Sequence, residues 1–110
     1  MSVEYIGHRS VTGCSVVVLH SGPQPGTTHE EALNPRLDLL RKSPTGLDWG
    51  YSGSGPAQLA VAILAHCVGD VLALKHFQAF KLRYVCHFPH DHWTMTADEV
   101  RSAVQRLMLD

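Results

Sequence analysis

The sequence has no apolar run long enough to span a membrane, little excess charge of either sign and few cysteines. Each shortage excludes something. The longest apolar stretch, residues 59–74, is broken by His66, Gly69 and Asp70, short of the ~20 apolar residues a bilayer-spanning helix needs. The net charge of −1 with histidines neutral gives no whole-chain footprint for nucleic acid or an anionic membrane. Three cysteines, Cys14, Cys67 and Cys86, form an odd set without Cys-x-x-Cys spacing. That argues against a disulfide framework and for a reducing compartment. No basic region followed by an apolar stretch opens the chain, so no signal peptide is read and a cytoplasmic location is expected. Neither a nucleophile elbow nor a protease signature surrounds any cysteine or histidine. Glu30-Glu31 fall in a loop and Asp98-Glu99 are explained by helix capping, so no acid/base pair stands out. The sequence leans away from an enzyme, and no cofactor is implied.

What is present fits one domain, residues 1–110, with an ordinary hydrophobic content of 45%. Eight histidines are many for 110 residues, and they would raise the charge near pH 6. Residues 3–8 and 15–20 are rich in β-branched and aromatic side chains and predict a hairpin. The unbroken run Val16-Val17-Val18-Leu19 predicts a strand covered on both faces. Residues 21–35 read as a long loop, and residues 36–40 as a third short strand or a helical turn. Ser43-Pro44-Thr45-Gly46 has turn chemistry.

A first helix starts at Gly53-Ser54-Gly55-Pro56, with Ser54 or Gly55 as its cap, and is apolar nearly all round to Val68. Gly69 ends it and Asp70 caps a second helix, expected to run to about His87. Ala73, Phe77, Phe80, Tyr84 and Phe88 form its predicted buried stripe, widened by Leu74. Thr96-Ala97-Asp98-Glu99 is a capping box, with Met95 and Val100 as its hydrophobic staple and Val100, Ala103, Val104 and Leu107 as an apolar face. The expected fold is α+β: a small antiparallel sheet packed on three helices, the first central and buried.

Three constellations could carry function. At the glycine-rich turn, Gly53, Ser54, Gly55, Ala57 and Gln58 could hold phosphate or carboxylate on a helix N-terminus, with Arg41 and Lys42 as nearby countercharge. No Gly-Lys-Ser/Thr follows and the spacing is not Gly-x-Gly-x-x-Gly, so neither a P-loop nor a dinucleotide fold is present. The alternative is a tight turn packing Trp49 and Tyr51 against the buried helix. Cys86, His90 and His92 carry metal-ligand chemistry but match no standard zinc spacing, so a metal site ranks below ordinary loop histidines. His76, Arg83 and His87 share one face of the second helix as a basic ridge, and Trp49, Tyr51 and Trp93 are candidate interface anchors.

Residues 43–60, Ser-Pro-Thr-Gly-Leu-Asp-Trp-Gly-Tyr-Ser-Gly-Ser-Gly-Pro-Ala-Gln-Leu-Ala, resemble a family of small bacterial, plasmid and phage proteins of unknown function. The likeness extends to Tyr5-Ile6-Gly7-His8-Arg9, Gly69-Asp70, Phe77-Gln78-Ala79-Phe80-Lys81 and Trp93-Thr94-Met95-Thr96. Leu47 stands where that pattern has an aromatic residue, and Arg41-Lys42 where Asn-His is expected. The resemblance implies a bacterial or mobile-element setting and no known activity. The leading expectation is a non-enzymatic accessory module that binds another protein. A phosphate- or carboxylate-binding module is second and an enzyme third.

Overall fold

The computed structural model describes residues 2–44 and 46–109, so Thr45 of the predicted turn lies outside the described residues. The fold is α+β. Strands β1 (Ser2–Ser10) and β2 (Gly13–Ser21) form the expected hairpin. β3 (His29–Ala32) follows, then helices α1 (Ser54–Val68) and α2 (Asp70–Arg83), a 3-10 turn over Val85–His87, strand β4 (His92–Thr96) and helix α3 (Ala97–Leu109). The sheet order is β3-β2-β1-β4, antiparallel throughout.

Alternation along the strands sets the core face. Tyr5 lies opposite Val18 and Met95, and Gly7 opposite Val16 and Trp93. These side chains point inward with α1, whose residues from Gly55 to Ala65 are all buried. α2 and α3 both pack on α1, which makes it the central element expected from its composition. Gly69 ends α1, and the capping box opens α3: Glu99 N–H donates to Thr96 Oγ1 at 3.1 Å, and Thr96 N–H to Glu99 Oε1 at 2.9 Å.

Several local expectations differ from the structure. The third strand is His29–Ala32, inside the predicted loop, and of the two readings of residues 36–40 the helical turn holds, with Leu39 and Leu40 N–H both bonding the Arg36 carbonyl. A fourth strand carries His92, Trp93 and Met95. Val16 and Val18 are buried, but Val17 and Leu19 point to the other sheet face and are only half-buried. The N-cap of α1 is Gly53, one residue before the expected position, and Asp70 is the first residue of α2 and no cap. Its carboxylate takes a two-pronged bond from Arg36, at 2.9 Å on each oxygen. Helix α2 stops at Arg83, four residues early. Proline at 89 forces Phe88 into the extended region, and Val85 turns fully inward, its carbonyl accepting the N–H groups of Gly50 and Phe88. The buried stripe of α2 is Ala73, His76 and Phe80, with Phe77 and Tyr84 half-buried and Leu74 exposed.

Gly7 is where backbone space is most limiting. Trp93 lies flat over it, and a Cβ there would sit 2.0 Å from the indole nitrogen. The indole is held by Phe88, stacked at 4.3 Å, and by the edge of Trp49 at 5.7 Å, so it has nowhere to retreat. Gly7→Ala is therefore expected to cost about 2 kcal/mol, lowering the melting temperature by roughly 10 °C. A melting curve matching the parent would contradict this packing.

Candidate functional site

The glycine-rich turn and the N-terminal hairpin meet at one carboxylate. Asp48 Oδ1 accepts from Arg9 Nη2 at 2.8 Å, from its neighbour's Trp49 N–H at 2.8 Å and from the Cys14 thiol at 3.5 Å. Its Oδ2 accepts from the Tyr51 hydroxyl at 3.1 Å. Burial works against ionisation of Asp48, but the Trp49 N–H, Arg9 and Tyr51 outweigh it and hold the carboxyl below its usual range. Arg9 also donates through Nε to the His90 carbonyl at 2.9 Å and lies 4.9 Å from the centre of the Trp49 ring. Trp49, 1% exposed, sends its indole N–H to the same His90 carbonyl at 3.0 Å. One arginine and one tryptophan thus tie the hairpin, the turn and the segment before β4 together.

The rest of the glycine-rich turn is shaped by this network. A Cβ on Gly55 would lie 2.7 Å from Asp48 Cβ, so the helix start can approach the carboxylate only with glycine there. Of the N–H groups from Ser54 to Ala57, Pro56 has none and that of Ala57 bonds the Gly53 carbonyl at 3.0 Å. At most two donors remain, on Ser54 and Gly55. They border a polar cavity of about 250 Å³ lined also by Asp48 and Tyr51.

Gln58 is fully buried and points the other way. Its Oε1 accepts the N–H groups of Lys42 at 2.7 Å and Ser43 at 3.1 Å. Its Nε2 donates to the carbonyls of Pro35 at 2.6 Å and Leu40 at 2.8 Å. Two acceptances and two donations saturate a primary amide, so Gln58 clamps the 35–43 segment to α1 and has nothing left for a ligand.

The remaining sequence candidates separate. Trp49 is interior, while Tyr51 is half-exposed over the cavity. His76 is buried on α2, away from the expected ridge. Arg83 and His87 are exposed and come together in a groove of about 510 Å³ between the 3-10 turn, β4 and α3. Its apolar floor includes Tyr84, Phe88 and Met95, and Arg106 completes its basic lining. Asp98 and Glu99 also line it, but Asp98 is paired with Arg101 and Glu99 is the capping carboxylate of α3. The candidate metal ligands do not cluster: the Cys86 thiol donates to the Leu82 carbonyl, His90 pairs with Asp91 and the His92 ring faces His8.

Sequence reasoning missed a different grouping, His20, Glu31 and His66, whose donor atoms lie within 4.8 Å of one another. Glu31 and His29 sat in a predicted loop, so the strand pairing that aligns them with His20 had no visible signal.

The fold and this packed turn define a single α+β domain in which Trp49, Gly55 and Gln58 of the signature are buried. The chain belongs to a family of unknown function (DUF6166), whose profile matches residues 5–106. No curated protein and no solved structure matches it. No helix among the described residues is long and apolar enough to cross a membrane.

Replacing Gln58 by leucine keeps the volume and strands four backbone groups in the interior. We expect Gln58→Leu to lose at least about 3 kcal/mol in urea unfolding. A loss no larger than that of an exposed control such as Gln78→Leu would show that the amide is not a clamp.

Proposed function

We propose that the protein is a non-catalytic binding module that seats an acidic, extended segment of a partner protein in the groove between the 3-10 turn, β4 and α3. One observation carries the reading: an apolar floor of Tyr84, Phe88 and Met95 lies beside the basic side chains of His87 and Arg106, with Arg83, which has a partner of its own, at the edge, and Asp98 is paired with Arg101. A groove of about 510 Å³ accepts one or two anchoring side chains. β4 is an edge strand, and its Thr94 and Met95 line the same groove, so an extended segment also meets a strand edge. The three free cysteines suit a reducing, cytoplasmic setting, and the bacterial or mobile-element origin implied by the signature is part of the same proposal.

A phosphate or carboxylate at residues 53–58 is the second reading, favoured by the polar cavity there. The Asp48 carboxylate in its wall, the missing Pro56 donor and the saturated Gln58 amide weigh against it.

Fluorescence polarisation with a panel of acidic, aromatic-bearing peptides tests the leading reading. Binding should weaken with salt and fall at least about tenfold in Arg106→Glu, a rim charge worth about 1.4 kcal/mol or more at such a site. It should be unchanged by Leu74→Ser, on the exposed face of α2. No binding across the panel, or equal binding by Arg106→Glu, would overturn it. A thermal shift with inorganic phosphate that Ser54→Pro abolishes would favour the second reading instead.

A further inference from the structure

We propose that His20, Glu31 and His66 form a site for a divalent transition-metal ion of the zinc type. Three separate elements supply them. The β2–β3 register sets His20 opposite His29, which places Glu31, two residues further along β3, diagonally beside His20 on the same sheet face. His66 comes from the last turn of α1. His20 Nε2 lies 3.1 Å from Glu31 Oε1, and His66 Nε2 lies 3.8 Å from the same oxygen.

Ligand atoms around a tetrahedral ion at metal–ligand distances near 2.1 Å are about 3.4 Å apart. Two of the three spacings are already within half an ångström of that value, and the whole set lies within 4.8 Å. The remaining spacing, between the two imidazoles, closes by rotation of the partly exposed His20 ring. Two imidazoles and one carboxylate form the donor set that holds zinc while leaving a coordination position open.

The second shell fits as well. The Tyr5 hydroxyl and His66 Nδ1 are 2.8 Å apart, in a part-buried bond. A bond at Nδ1 fixes the ring and turns Nε2 toward Glu31. His29, whose ring centre is 5.8 Å from that of His20, stands nearby as a further imidazole. None of these residues belongs to the groove of Arg83, His87 and Arg106, so the two proposals are independent.

Tag-free protein in chelator-treated buffer, titrated with zinc by calorimetry and with cobalt by visible absorption, tests the site. One ion per chain is expected, with the intense visible bands of tetrahedral cobalt. Tyr5→Phe, which keeps the ring and removes the hydroxyl, should weaken binding about tenfold. Glu31→Gln and His66→Ala should weaken it further, and zinc should raise the melting temperature of the parent and not of these two. Circular dichroism verifies the folding of each variant independently of metal. The double variant His90→Ala/His92→Ala should bind like the parent. Absence of binding, binding unaffected by Glu31→Gln and His66→Ala, or binding lost with His90 and His92 would each overturn the proposal.

Discussion

Asp48 accepts hydrogen bonds from four groups that come from three parts of the chain, and the arrangement of the N-terminal hairpin against α1 depends on it. Arg9 reaches it from the end of β1, Cys14 from the start of β2, and Trp49 and Tyr51 from the turn itself. The guanidinium and the carboxylate are each about one-quarter exposed, at 20% and 28%. At that depth an ion pair is screened less than a surface pair, and loss of one partner leaves the other poorly solvated. From this point the geometry propagates. Arg9 and Trp49 share the His90 carbonyl, which fixes the chain entering β4, and Trp93 of β4 then lies over Gly7 of β1. The same carboxylate sets how closely the first turn of α1 approaches, which is why Gly55 is confined.

The family signature consequently reads as a set of packing instructions. Gly7, Arg9, Asp48, Trp49, Gly55 and Gln58 each have an interior task that a neighbouring residue type would fail at. Such residues leave few groups to meet a ligand. Arg83, His87 and Arg106 of the proposed groove and the histidine–glutamate cluster beside β3 lie outside the central 43–60 segment. A strongly patterned motif with no function attached to it is what a structural clamp would look like in a sequence.

The fold class was legible because its signals are local: the hairpin alternation, the nearly all-apolar α1 bounded by glycines, and the capping box of α3. Strands β3 and β4 were not, since His29-Glu30-Glu31-Ala32 has no apolar alternation and becomes a strand only by pairing with β2. β4 is similarly short, and Trp93 and Met95 reveal its two-residue period only once β1 is beside them. The histidine face of α2 was misplaced because Phe77 and Phe80 compete for the core. Phe80 is buried completely, and the helix rotates His76 inward with it. The roles of Arg9 and Gln58 depend on partners 39 and 15–23 residues away, distances at which one sequence contains no pairing information.

The central claim is that Arg9 and Asp48 act as a unit. A double-mutant cycle with Arg9→Met, Asp48→Asn and the combined variant, followed by urea unfolding at neutral pH, measures that coupling directly. The two singles should each be strongly destabilised, and the double should cost less than their sum by at least about 1 kcal/mol. Effects that add to within ~0.3 kcal/mol would mean that the two residues contribute separately, and would contradict the account.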